Sequence, residues 1–227
     1  MTIPERAVFF DLDGTLTDPK PGITRSIQHA MRALERPIPE AEDLLWCIGP
    51  PIRPSFARLL DSSADDLVDA AIALYRERYA VIGLYENAVY PGIPETVSAV
   101  RAAGYRTFVV TSKLHLFATR IVEHFSLAPL FDRIYGSELD GRRVDKGELI
   151  AYALDEEGLR PSDVVMVGDR EHDVIGALKC GMRSIGVTYG YGTELELRTH
   201  GAALIAASPF EIVDLVDRLF RDPPPSR

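Results

Sequence analysis

Arg6-Ala7-Val8-Phe9-Phe10-Asp11-Leu12-Asp13-Gly14-Thr15 is the stretch on which the reading of this chain turns. Its first half is an apolar run of about five residues, a length that suits a strand buried on both faces. The run stops at Asp11, and Asp13-Gly14 follows, a pair common in tight turns. Taken alone, a turn after a strand is the plain reading. An EF-hand loop does not fit, because the sixth position, which needs glycine, is Leu16. No G-x-x-x-x-G-K-[ST] occurs anywhere, which excludes a P-loop. Gly190-Tyr191-Gly192 begins like a dinucleotide fingerprint, but Leu195 stands at its third glycine position, so it reads as a loop.

Working outward, apolar runs recur at 105–110, 163–167 and 183–187, with a shorter one at 133–135 and a candidate edge strand at 203–206. Helical periodicity falls between them. Residues 95–103 end at Gly104, a good residue to close a helix, and 146–157 place Leu149, Ile150, Ala153 and Leu154 on one face. A further helix spans 209–220, and Pro223-Pro224-Pro225 reads as a frayed tail. Strands alternating with helices predict a doubly wound parallel sheet, an α/β fold of Rossmann-like layout. Residues 21–87 interrupt that alternation with helical signals alone, such as the stripe Ile23, Ile27, Ala30, Met31 and Leu34. Ser63, with Asp66 three residues on, reads as the start of another helix. So long a structureless loop is improbable, so the segment predicts an inserted all-helical unit, jointed at Pro19–Gly22 and near Pro91. The division expected is therefore a core from 1–16 and 88–227 around an insert at 17–87.

Composition bounds the function classes. A chain of 227 residues with net charge −9 and pI near 5.1 carries no basic run, which argues against a nucleic-acid polymer as partner. No apolar run approaches the ~20 residues that span a bilayer, and residues 1–6 lack a signal-peptide layout. Cys47 and Cys180 lie far apart and read as small buried hydrophobes in a reducing, cytoplasmic setting. A small anionic ligand stays compatible with the acidic balance, since a metal and one or two lysines can make a local positive site.

The strand ends carry the chemistry. In open parallel sheets, ligands bind beyond the carboxyl ends of the strands. Asp11 and Asp13 follow one strand, Thr111-Ser112-Lys113 a second, and Gly168-Asp169 a third, with Asp173 four residues later. If that last segment enters a helix, Asp169 and Asp173 share a face, one turn apart. Lys146 opens a helix, where amide dipoles already favour an anion. Acids, hydroxyls and amines thus converge on one edge of the sheet.

On these residues the chain resembles the haloacid dehalogenase superfamily. Its phosphatases carry a D-x-D-G-T motif, matched by Asp11 to Thr15, then a Thr or Ser after a second strand, matched by Thr111. A lysine follows, matched by Lys146, and then a G-D-x-x-x-D motif, matched by Gly168-Asp169 and Asp173. The insert at 17–87 resembles that family's cap domain. The resemblance implies Asp11 as a nucleophile that forms an aspartyl phosphate, and Asp13 as general acid and then base. It implies Mg²⁺ held by Asp11, the backbone carbonyl of Asp13, Asp169 and Asp173. It also implies that Thr111 and the Ser112 amide hold phosphoryl oxygens beside Gly14, while Lys146 balances the charge. Asp13 favours phosphoryl chemistry, since dehalogenases lack the second aspartate.

In the insert, Ile48-Gly49-Pro50-Pro51-Ile52-Arg53 reads as a stiff loop between helices. Arg53 is open between a surface arginine and a contact to the substrate's leaving group, and Lys113 between a solvated lysine and a phosphate contact. This loop and the residues around Asp169 resemble bacterial members named 5′-nucleotidases, close to phosphoglycolate phosphatases. The expected reaction is hydrolysis of a small phosphorylated metabolite. A sugar-phosphate mutase of the same fold and a phospho-acceptor signalling module are the alternatives.

Overall fold

A computed structural model of the chain describes residues 5–221. The Pro223–Pro225 tail lies outside them. The strands are β1 (Ala7–Phe10), β2 (Thr17–Asp18), β3 (Ala88–Val89) and β4 (Arg106–Leu114), then β5 (Arg133–Ser137), β6 (Val164–Gly168), β7 (Arg183–Val187) and β8 (Leu204–Ala206). Six of them form one sheet in the order β5-β4-β1-β6-β7-β8, with every neighbouring pair parallel. From β1 the chain steps outward through β4 to β5, then returns across the sheet to β6 and steps outward the other way. This is a doubly wound α/β sheet, and its switch point lies between β1 and β6.

Alternation of side chains across each strand divides the core into two layers. Val8, Phe10, Val109, Val165 and Val167 face one layer, with Val97 and Val100 of α4 (Ile93–Ala102), Ile121 of α5 (His115–His124) and Val216 of α9 (Ile212–Arg221). Ala7, Phe9, Phe108, Val110 and Met166 face the other, under Leu149, Ile150 and Ala153 of α6 (Lys146–Glu157) and Ala177 of α7 (Glu171–Lys179). A short α8 (Glu194–Thr199) follows β7. Both faces of the central strands are thus covered, as their unbroken apolar sequences require.

The chain between β2 and β3 is helical: α1 (Lys20–Ala33), a 3₁₀ segment at Glu42–Cys47, α2 (Ile52–Leu59) and α3 (Asp65–Arg78). A π-helical turn at Tyr79–Gly83 ends α3. The residue preceding α3 is Ala64 rather than Ser63, and its amide donates to the Ser62 hydroxyl. The stripe expected on α1 is buried through Ile23, Ile27, Ala30 and Met31, in the same apolar cluster as one face of the sheet. Gly22 and Gly83 let α1 and the π turn touch, since a Cβ on Gly22 would lie 2.0 Å from the Gly83 carbonyl oxygen. Two strands missing from the sequence reading, β2 and β3, pair antiparallel through Thr17–Val89 and Asp18–Ala88 and join this helical cap to the sheet.

Two further details differ from expectation. β4 does not stop at Val110 but continues to Leu114 beside β5, with an irregularity between Thr111 and Leu114. Thr111 and Ser112 therefore belong to a strand extension rather than to a loop beyond it. Helix α7 begins at Glu171, so Asp169 and Asp173 do not share a helical face. Asp169 directly follows β6, and Asp173 turns back to accept from the Arg170 amide at 3.2 Å. Capping of the first turn, not helical periodicity, brings the two carboxylates together.

Candidate active site

Asp11 still belongs to the sheet through its backbone, its amide donating to the Val167 carbonyl at 2.9 Å. Its side chain is thereby fixed at the carboxyl edge, beside the end of β6. The next residues form a tight turn, with the amides of Leu16 and Thr17 both donating to the Leu12 carbonyl. Gly14 takes φ +82° there, and a Cβ on it would lie 2.1 Å from Oδ2 of Asp169. Only glycine suits a position with that backbone and that neighbour. Gly190 completes the enclosure, since its Cβ would lie 2.6 Å from the same oxygen.

Asp11, Asp169 and Asp173 each present a carboxylate oxygen within 4.8 Å of the others, and all three are buried. They sit at the switch point, where such a fold presents its ligand site. Lys146 reaches into the cluster from the first turn of α6, its Nζ 2.7 Å from Asp11 Oδ1 and 2.7 Å from Asp173 Oδ1. The Asp145 side chain caps that helix by accepting from the amides of Gly147 and Glu148. Gly176 lets α7 come close, since a Cβ on it would lie 3.0 Å from Lys146 Cγ. Asp169 is held by neutral donors, the Tyr191 amide at 2.8 Å and the Thr15 hydroxyl at 3.5 Å.

Burial and then the charges of Asp173 and Asp11 push the Asp169 carboxyl well above the usual aspartate range. Asp173 is raised as well, by burial first, with Lys146 opposing. Burial of Lys146 would lower its ammonium pKa, but Asp11 and Asp173 outweigh it and hold the lysine charged. Such a cluster of crowded, buried carboxylates is stabilised by added positive charge. Its donors are all oxygens, which suits a hard cation such as Mg²⁺.

Asp13 points elsewhere. Its Oδ2 lies 2.6 Å from Nζ of Lys113, and both side chains are nearly buried, at 9% and 7% exposed. Burial raises the Asp13 pKa, with Lys113 acting against it. Lys113 also donates to the Tyr79 hydroxyl, on the π turn of the cap. A solvated lysine is thus excluded. Lys113 meets a carboxylate of the core and a phenol of the cap at once. The metal-ligand set expected from sequence takes Asp13 by its backbone carbonyl, and the Asp13 side chain lies outside the carboxylate cluster.

Asp13, Ser112, Lys113 and Tyr79 line a cavity of about 610 Å³ between sheet edge and cap. Its cap wall carries Ile72, Tyr75 and the Gly49–Arg53 stretch, and Phe117 closes it from α5. Tyr75 and Tyr79 stack with ring centroids 5.0 Å apart. Thr111 is buried beside the cavity and accepts from the Lys113 amide at 3.4 Å. Arg53 lines the cavity as the second residue of α2, but its guanidinium is held by Asp65 at 3.3 Å and by Asp69. Lys113 as the partner of Asp13, Tyr79 and Tyr191 carry no local signal in sequence. The Tyr191 hydroxyl donates to Asp18 of β2, while its amide holds Asp169.

The haloacid dehalogenase-like hydrolase family profile matches residues 8–187, which takes in all of these acids and both lysines. The chain belongs to the haloacid dehalogenase-like hydrolases. It is 47% identical over 193 residues to a protein of Pseudomonas aeruginosa named 5′-nucleotidase, covering 85% of this chain and 87% of that one. It is 38% identical over 205 residues to the tyrosine-protein kinase PtkA of Mycobacterium tuberculosis, covering 87% of this chain and 69% of that one. A crystal structure described as a predicted phosphatase from Clostridium acetobutylicum superposes with TM-score 0.91 at 39% identity, over 96% of this chain and all of that one. Relatives within this haloacid dehalogenase-like group thus carry hydrolase and kinase names alike. Among the described residues, no helix is long and apolar enough to cross a membrane.

Proposed function

We propose that this chain hydrolyses a small phosphate monoester, with Asp11 as nucleophile and a divalent cation, Mg²⁺, held by Asp11, Asp169, Asp173 and the Asp13 carbonyl. The observation that carries the reading is the charge balance at the switch point. Three buried carboxylates, those of Asp11, Asp169 and Asp173, face one buried lysine, Lys146. The two negative charges left over are what one divalent cation neutralises. That cation, when bound, would offset the repulsion between an anionic nucleophile and a phosphate.

The residues divide the work. An oxygen of the Asp11 carboxylate attacks phosphorus as the bond to the leaving oxygen breaks, which forms an aspartyl phosphate. Asp13, outside the carboxylate cluster and on the cavity wall, has its pKa raised by burial, takes up a proton as the anionic substrate enters, and gives that proton to the departing alkoxide. It then takes a proton from the water that attacks the aspartyl phosphate, which regenerates Asp11 and frees phosphate. The Thr111 hydroxyl and Ser112 amide hold phosphoryl oxygens near Gly14. Lys146 keeps Asp11 aligned from a distance of 2.7 Å.

The leaving group is read in the cavity. About 610 Å³ is far more room than a glycolate needs, and a stacked tyrosine pair with Ile72 and Phe117 offers flat apolar surface. A nucleoside 5′-monophosphate suits it better than phosphoglycolate. Arg53 would meet a substrate anion only by leaving Asp65 and Asp69. A cytoplasmic site of action is part of the same reading, in keeping with two free thiols.

The test is phosphate release from nucleoside 5′-monophosphates, phosphoglycolate, hexose phosphates and an aryl phosphate, with Mg²⁺ and with EDTA. Mg²⁺-dependent release, led by nucleotides and abolished in a folded Asp11→Asn variant, is expected. Near-wild-type turnover by Asp11→Asn sinks the mechanism. Isomerised product in place of phosphate, or a long-lived phosphoprotein, overturns it in favour of a mutase or a phospho-acceptor.

A further inference from the structure

Arg170 stands between two of the candidate metal ligands, Asp169 and Asp173, yet its side chain leaves that site and crosses to the cap. Its Nη1 donates to the Ile48 carbonyl at 2.9 Å, and its Nε donates to Glu196 Oε1 at 2.9 Å. Ile48 is fully buried, so that carbonyl lies inside the interface rather than at its rim. Glu196 is itself fixed, since the same oxygen accepts from the Glu171 amide at 3.0 Å. Burial alone would raise the Glu196 carboxyl, but the Glu171 amide and Arg170 outweigh it and keep it ionised.

The next residue fits the same arginine by shape. Gly49 takes φ +98°, and the place its Cβ would occupy lies 3.0 Å from Cγ of Arg170. The backbone at Gly49 is therefore laid along the arginine stem, in a conformation other residues resist. Pro50 and Pro51 then carry the chain onward with little freedom, and both line the cavity. The wall facing the leaving group is fixed at its start by a core residue, through a guanidinium that Glu196 pre-orients.

The geometry points to Arg170 as the positioning residue for the substrate-reading stretch 48–53, a loop over 48–51 that runs into the first two residues of α2. It sets which leaving group fits, and it leaves phosphoryl transfer to the aspartates. This deepens the phosphatase reading above and rests on it. Because Arg170 shares its segment with Asp169 and Asp173, the loop and the metal site are referenced to one rigid stretch of chain.

The test compares Arg170→Gln with wild type in two independent readouts. In steady-state kinetics on the preferred nucleoside monophosphate, KM should rise tenfold or more while kcat falls less than threefold. In hydrogen exchange of the unliganded protein, the amides of Ile48, Gly49, Ile52 and Arg53 should exchange at least tenfold faster, with the core strands unchanged. Gly49→Ala should reproduce the KM effect, and the double variant should be no worse than the poorer single one. A fall in kcat on every substrate with KM unmoved overturns the assignment, as does unchanged exchange in the loop. Should wild type release no phosphate from any monoester, the functional reading fails, while the exchange comparison still decides the claim about the loop.

Discussion

Lys113 Nζ lies 2.6 Å from Asp13 Oδ2, so the carboxylate assigned to proton transfer is paired inside the protein before any substrate arrives. The same ammonium donates to Tyr79. Through Lys113, the carboxylate proposed for proton transfer is thus tied to the cap. Removing one partner of a buried pair leaves the other uncompensated. Lys113→Met should destabilise the chain by about 3–5 kcal/mol and depress kcat. Adding Asp13→Asn should restore most of the stability and none of the turnover. Urea denaturation of the two single variants and the double variant checks this, and purely additive losses would count against the pairing.

The carboxylate cluster predicts a response to metal that needs no substrate. Crowding and burial destabilise Asp169 and Asp173 as anions, so a bound cation should stabilise the fold. At one hundred times Kd the gain is about 2.7 kcal/mol, or a rise of roughly 5–10 °C in Tm for a chain this size. Thermal scans with Mg²⁺ and then EDTA should show a reversible shift, and Asp169→Asn should lose it.

Gly14 predicts a penalty in the turn itself. With φ +82° and Asp169 Oδ2 2.1 Å from the site of a Cβ, Gly14→Ala must strain the backbone and displace a candidate ligand. A cost of about 1–3 kcal/mol is expected from the backbone alone. The Mg²⁺-induced Tm shift should shrink with it. Unchanged stability with an unchanged Mg²⁺ response would show that the turn tolerates the side chain.

Acid should loosen the base of the cap. Hydrogen bonding to Arg78 first, with Arg25 assisting, holds Glu86 below its ordinary value of 4.5 against the effect of burial. Its folded pKa is therefore lower than its unfolded one. The stability it contributes is fully present above about pH 4.5 and is lost as pH falls through the folded value. Glu86→Gln should flatten that part of the acid limb in urea midpoints measured from pH 7 to pH 3.5. A limb of unchanged slope would place the acid sensitivity elsewhere.

What sequence disclosed and what it concealed follow from the range of each interaction. The apolar runs ending in Asp11 and Gly168-Asp169 were legible because strand, turn and acid are neighbours in the chain. Lys146 was legible as a helix start, and the parallel, doubly wound sheet followed from the alternation of strands and helices, though not the order of its strands. Lys113 was ambiguous, because nothing at positions 111–113 encodes Asp13 a hundred residues away. Tyr79 lies in a π turn, whose spacing breaks the 3.6-residue pattern. Asp169 and Asp173 were expected on one helical face, whereas a capping turn brings them together. Arg53 stayed open between surface and substrate, because Asp65 and Asp69, which hold its guanidinium, belong to the next helix. The strands β2 and β3 are two residues each, too short for periodicity to register.

Those two short strands have a consequence for what the sheet can carry. Thr17 pairs with Val89 and Asp18 with Ala88, so the chain leaves and rejoins the sheet's edge at points about 4.8 Å apart. That is the separation a two-residue hairpin turn spans. The chain connections to the core are therefore the same two anchor points whatever lies between them. A helical cassette of another length exchanged there would need only to restore the contacts that Ile48 makes with Arg170 and Tyr79 with Lys113. Substrate preference can then diversify in the cassette while the aspartates at the sheet edge stay where they are.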